Sequence, residues 1–134
     1  MRKKILLLFI LCLSVILTGC GKTEKVTCTN EKKYGVSSLK TEAVVKFKKG
    51  YKVEYKTVVE ATLDSESSAK NFAESYEKES KDDKDADNFK IKSVKQDNNK
   101  VTVISYETKD SIKKNKKTKE QVIDELKNSG FECK

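Results

Sequence analysis

Between Leu39 and Leu63 all the apolar side chains but two, Val44 and Val58, fall on alternate positions. Leu39, Ala43, Val45 and Phe47, then Tyr51, Val53, Tyr55, Val59, Ala61 and Leu63 are all odd-numbered, with Thr41 and Thr57 filling the series. The even positions are mostly Lys and Glu. Period two gives a strand one buried and one solvated face, so the segment predicts two long antiparallel strands. Keeping Phe47 opposite Tyr51 requires a three-residue loop, Lys48-Lys49-Gly50, with the glycine supplying its left-handed position. In that register Val53 belongs to the core and Glu54 to solvent.

The pattern changes on either side. Val26-Thr27-Cys28-Thr29 reads as a short first strand, and Tyr34-Gly35 marks a break. Ala69, Phe72, Ala73 and Tyr76 fall at helical spacing behind a cap at Asp64 or Ser65, and that helix runs out in the polar stretch 81–88. A second hairpin turns at Asn98-Asn99, both suited to the positive φ of a type I′ turn. Pairing about that turn sets Ile91 opposite Tyr106 and Ser93 opposite Ile104, with Val94, Val101 and Val103 pointing the other way. After a lysine-rich loop at 112–117, Thr118 and Gln121 form a capping box for a helix whose stripe is Val122, Ile123 and Leu126. Gly130 closes it, and Phe131 is placed to touch Leu126 as a Schellman cap requires. The order β-β-β-α-β-β-α predicts an α+β fold, a single antiparallel sheet with its helices packed on one face.

The amino end follows a different logic. Arg2, Lys3 and Lys4 precede an almost unbroken apolar run from Ile5 to Leu17, shorter than the roughly 20 residues a membrane span needs. The run ends in Leu17-Thr18-Gly19-Cys20, a string that resembles the lipobox of bacterial lipoproteins. The resemblance implies cleavage before Cys20 and a diacylglyceryl group on its thiol. Two acyl chains hold a protein firmly where one does not. The expected layout is a leader at 1–19, a lipidated tether at 20–25 and one domain at 26–134, on the extracytoplasmic face of the cell membrane.

Removing the leader changes the charge picture. Of the 29 basic residues, Arg2, Lys3 and Lys4 leave with it, so the mature chain has 26 lysines, no arginine and 21 acidic residues. Lysine is a hydrated point charge without the planar fork that reads guanine edges and phosphates bidentately, which argues against a nucleic-acid partner. The chain has no histidine, the commonest general base and transition-metal ligand. Cys12 leaves with the leader and lipid occupies Cys20, so Cys28 and Cys133 remain as a pair in an oxidising compartment. A disulfide between them closes almost the whole domain and is expected to contribute about 4–5 kcal/mol.

Candidate chemistry is thin. Ser-x-x-Lys recurs at Ser37/Lys40, Ser67/Lys70, Ser75/Lys78 and Ser111/Lys114, as chance gives in so lysine-rich a chain, and its companion Ser-Asp-Asn and Lys-Thr-Gly elements are missing. Asp83, Asp85 and Asp87 have the spacing that opens an EF-hand loop, but its glycine and glutamate positions hold Asn88 and Val94. Tyr34, Tyr51, Tyr55, Tyr76 and Tyr106 could line a groove, although Tyr51, Tyr55 and Tyr76 already belong to apolar faces. No catalytic, cofactor or metal set is expected.

Taken together, the lipobox Cys20, Cys28-Thr29, the alternating hairpin to Leu63 and the Leu126-x-x-x-Gly130-Phe131 helix end resemble the YehR-like lipoproteins, small bacterial lipoproteins without an assigned activity. The resemblance implies the same α+β fold and transfers no catalytic residue. The expected role is a non-enzymatic envelope module that binds a protein, a peptide or a polyanionic polymer through a sheet edge or the helix-free face. A small hydrolase, or an ion or small-ligand sensor, is the alternative. Cys20→Ala should leave an uncleaved or soluble, lipid-free precursor; a lipidated chain starting at residue 20 in that variant would overturn the anchor.

Overall fold

The computed structural model describes residues 22–82 and 88–134. The expected leader at 1–19 with Cys12, Cys20 and the aspartates at 83, 85 and 87 lie outside them. Six strands form one antiparallel sheet: β1 (Thr23–Tyr34), β2 (Ser37–Lys48), β3 (Tyr51–Thr62), β4 (Phe89–Asp97), β5 (Lys100–Glu107) and β6 (Glu132–Cys133), in the spatial order β4-β5-β3-β2-β1-β6. Three helices accompany it among the described residues: α1 (Glu66–Asp82), α2 (Lys109–Lys114) and α3 (Lys119–Asn128). The α+β class stands. The order gains α2 where a loop was expected, and the two-residue β6 at the end.

Two apolar patches occupy one face of the sheet, which therefore carries both long helices. Val122 and Leu126 of α3 pack on Cys28, Ala43, Val45 and Phe47, with Val26, Tyr55 and Phe131 at the margin. Ala69 and Ala73 of α1 pack on Val101 and Val103, with Val59, Leu63, Ile91 and Val94 beside them. The opposite face carries the even positions of β2 and those of β3 from Glu54 onward, including the Lys46–Glu54 pair at 3.4 Å.

The first strand has 12 residues, not four, because it pairs with the whole of β2, from Thr23↔Lys48 to Tyr34↔Ser37. Thr23 to Lys25, expected as part of a tether, therefore belong to the sheet.

The β2–β3 register also differs. Lys48 pairs with Tyr51, so the turn has two residues, Lys49 (φ 54°) and Gly50 (φ 79°). Both are positive, the type I′ signature. That turn alone would put Phe47 opposite Lys52 throughout, but the register shifts between Lys46 and Phe47, leaving Val53 unpaired. Beyond this bulge the expected parity returns, with Val45 opposite Tyr55 and Leu39 opposite Ala61. Hence Val53 is 44% exposed, while Lys52 is only 7% exposed.

A second bulge corrects the other hairpin. Ile91 faces Ser105 rather than Tyr106, the register shifts across Lys92, and Val94 faces Val103. The extra residue brings Ile91 and Val94 to the same helix-covered face, so the hairpin does not turn its tip to the opposite side. Its turn has positive φ at Asn98 (52°), and Asn99 instead spends its side-chain amide on the Leu63 carbonyl at 3.0 Å.

The ends of the helices follow their sequences. Ser65 Oγ accepts from the Ser68 amide at 3.1 Å, and the Thr118/Gln121 capping box is complete. Phe131 N–H donates to Leu126 and Gly130 N–H to Lys127, each at 3.0 Å, with Gly130 at φ 90°: a Schellman cap. That reversal lays β6 beside β1, where Cys28 pairs directly with Cys133 and a disulfide joins them.

Val45 is fully buried. Val45→Lys should therefore cost several kcal/mol, whereas Val53→Lys should cost less than about 1 kcal/mol. Denaturant midpoints compare them, and equal losses would mean the bulge is misplaced.

Candidate functional site

The bulge at Val53 decides what lies under α2. Lys52 turns inward, and its ammonium meets Glu107 at the end of β5, with Nζ to Oε2 at 2.6 Å and both side chains almost fully buried. Ser111 of α2 donates its hydroxyl to the other carboxylate oxygen at 2.7 Å. Tyr55 lies beside the pair, its ring 5.7 Å from Lys52 Nζ. Phe89 meets the same ring edge-on at 5.4 Å. Burial first, then the carboxylates of Glu107 and Glu125, push the Tyr55 phenol above its ordinary pKa. A phenol held protonated by the fold contributes stability below about pH 10, and that contribution is lost as pH rises through the folded value.

A short segment locks this end of the sheet. β5 pairs with β3 from Lys56 to Thr62 and leaves the start of β3 uncovered. Residues 117–119 take its place: Lys52 N–H donates to the Lys117 carbonyl and Lys119 N–H to the Gly50 carbonyl, both at 3.0 Å, and Thr118 bridges to Tyr51. Lys117 pairs with Glu125 at 2.8 Å and Lys119 with Glu24 at 2.6 Å.

Above this base lies an open groove of about 550 Å³, lined by Lys48, Lys49, Tyr51, Lys52, Val53, Ile112, Lys113 and Lys116. Five of its eight lining residues are lysines. Lys52 is neutralised by Glu107. Lys48, Lys49, Lys113 and Lys116 are exposed and form no ion pair with a carboxylate among the described residues. Lys116 instead lies over the Tyr51 ring, 4.4 Å from its centroid. Tyr51 and Val53 are 41% and 44% exposed, giving the cationic rim an apolar floor. Such a surface can hold an anionic group by charge and an apolar or sugar-like body by contact.

The residues singled out in the sequence are distributed unevenly around this groove. Cys28 and Cys133 lie on the β1–β6 side, fixing α3 and β6 rather than lining it. Of the tyrosines, Tyr51 lines the groove instead of the core, while Tyr76 packs on Phe72 and Tyr34 is exposed on the β1–β2 turn. Ser111, from one of the four Ser-x-x-Lys strings, is 2% exposed and already bonded to Glu107. No local pattern marks the groove, because its two lysine clusters, 48–49 and 113–116, are far apart in the chain. The local clue was Lys49-Gly50, a type I′ pair whose two-residue loop demands a bulge if the alternation is to survive. Among the described residues, no group of three metal-ligating side chains converges, and no helix is long and apolar enough to cross a membrane.

Comparison of the chain with family models, with curated proteins and with solved structures gives no match in any of the three.

Lys52→Met leaves the buried Glu107 carboxylate without its counter-charge and should cost about 3–5 kcal/mol. Adding Glu107→Gln, which keeps an acceptor for Ser111, should recover most of that loss in denaturant unfolding. A double variant as unstable as the single one would mean the ion pair is not what Lys52 contributes.

Proposed function

We propose that this protein is a non-catalytic binding module, held by lipid on Cys20 at the extracytoplasmic face of the cell membrane, whose lysine groove takes a phosphate- or carboxylate-bearing component of the envelope. The observation that carries the reading is the set of four exposed, unneutralised lysines around Tyr51 and Val53. Dispersed lysine ammonium groups suit a repeating or diffuse anion better than one demanding a bidentate fork. The kinship with YehR-like lipoproteins is part of the same proposal and rests on Cys20, Cys28-Thr29 and the Leu126–Phe131 helix end.

A hydrolase reading would need an accessible nucleophile beside a base. Lys52, Glu107 and Ser111 come nearest among the described residues, but their charges and hydroxyl are spent on one another beneath α2. That favours binding over turnover.

Every described element begins at Thr23 or later, so a chain starting at residue 20 with Cys20→Ser keeps the whole sheet and is soluble under this reading. It should bind long-chain inorganic polyphosphate with an affinity that falls steeply with salt. Lys49→Glu/Lys113→Glu/Lys116→Glu should weaken binding about tenfold or more. Lys70→Glu/Lys95→Glu/Lys100→Glu, which changes net charge equally at the other end of the sheet, should have little effect. Equal losses in the two triple variants would reduce the interaction to net charge and remove the groove from it.

A further inference from the structure

The groove and the start of β1 share one end of the sheet. Thr23 pairs with Lys48, and Glu24 holds at 2.6 Å the ammonium of Lys119, whose own N–H bonds the Gly50 carbonyl. Cys20 precedes Thr23 by three residues, which fully extended span at most about 11 Å. That is little more than the Debye length of about 8 Å at physiological salt. If lipid is attached at Cys20, the end of the sheet bearing Lys48 cannot stand away from the bilayer.

We propose that the groove docks on the anionic headgroups of the membrane that anchors the protein, so that Lys48, Lys49, Lys113 and Lys116 meet phosphate while Tyr51 and Val53 enter the headgroup layer. This rests on the anchored-module reading and assigns its anion to the bilayer. Charge complementarity comes from their gathering around one groove: these four lysines have no carboxylate partner among the described residues, whereas Lys117 and Lys119 beside them are neutralised by Glu125 and Glu24. Tyrosine is among the residues favoured at the membrane interface, its ring in the headgroup region and its hydroxyl in water. Each lysine brought to an anionic surface strengthens the contact about fivefold. Docking at this end also fixes the orientation of the domain. The β1–β2 turn, with Tyr34 61% and Val36 80% exposed, then points away from the bilayer at the far end of strands roughly 36 Å long.

The chain has no tryptophan, so Tyr51→Trp places a unique fluorophore in the groove. The mature lipoprotein carrying it is reconstituted into vesicles of phosphatidylcholine alone, or with about one third phosphatidylglycerol, each containing brominated acyl chains as a short-range quencher. Quenching and a blue shift are expected in the anionic vesicles, with little in the neutral ones. Both should disappear at high salt and when Lys49→Glu/Lys113→Glu/Lys116→Glu is added. Equal quenching in the two vesicle types, or none in either, overturns membrane docking. If none appears while the soluble domain still binds polyphosphate through the same lysines, the groove serves a free polymer and the anchored-module reading survives. Loss of polyphosphate binding as well removes both.

Discussion

In a sheet with period-two alternation, inserting one residue exchanges the faces of everything beyond it. Val53 is such an insertion. On its β3 C-terminal side Tyr55, Val59 and Ala61 point under the helices as the alternation demands. On its N-terminal side the type I′ turn at Lys49-Gly50 sets Lys52 opposite Phe47, so a lysine faces inward where Val53 would have stood. An inward ammonium is tolerable if a carboxylate meets it, and Glu107 does at 2.6 Å. From that pair follow the burial of Ser111, the seating of α2 and the exposure of Tyr51 and Val53. The groove exists because one hairpin solved a turn-parity conflict with a bulge.

The same pair explains why the helix face has two apolar patches instead of one. α3 covers the β1–β2 half and α1 the β4–β5 half. Between them β3 and β5 place Thr57 and Ser105, whose hydroxyls bond each other, followed by Tyr55, Glu107 and Lys52. A buried ion pair adds little net stability but is costly to break. Its contribution here is positional: it holds the end of β5, the start of β3 and α2 in one arrangement, and so holds Lys113 and Lys116 across from Lys48 and Lys49. The disulfide works at the other side of the sheet. Two residues of β6 could not secure α3 alone, and Cys28–Cys133 fastens that end across 105 residues of chain.

What was legible in the sequence was local or left no alternative. The Thr118/Gln121 box and the Gly130-Phe131 cap depend on residues within one or two helical turns, and they formed as their spacing required. The face carried by Leu39 to Phe47 survived because no bulge intervenes there. Cys28 and Cys133 were paired by elimination. By contrast, both bulges resolve conflicts with distant partners. Val53 is displaced so that Lys52 can reach Glu107, 55 positions away, and Lys92 so that Ile91 and Val94 both reach the α1 patch. The need for the first is written in its Lys49-Gly50 turn, but its position, and the whole of the second, depend on residues outside the strand. The helix at Lys109–Lys114 was hidden for a related reason. Its six residues carry almost no apolar stripe, and it is held by the Thr108 cap and by Ser111 reaching Glu107.

The lysines of this end divide by what they face. Lys52, Lys117 and Lys119 each have a carboxylate within 2.8 Å, and these pairs tie β3, β5, β1 and α3 together. Lys48, Lys49, Lys113 and Lys116 ring the groove without one. Gathering like charges around one opening costs self-repulsion in the isolated domain, and the chain has acidic residues enough to have neutralised them, 21 in all. The fold pairs the structural lysines of this end and leaves bare the four that share its groove, so that their charges meet at one opening. That place adjoins Thr23, three residues from the cysteine read as the lipid site. An anion supplied from outside relieves the repulsion, and under that reading the surface nearest to hand is the bilayer itself.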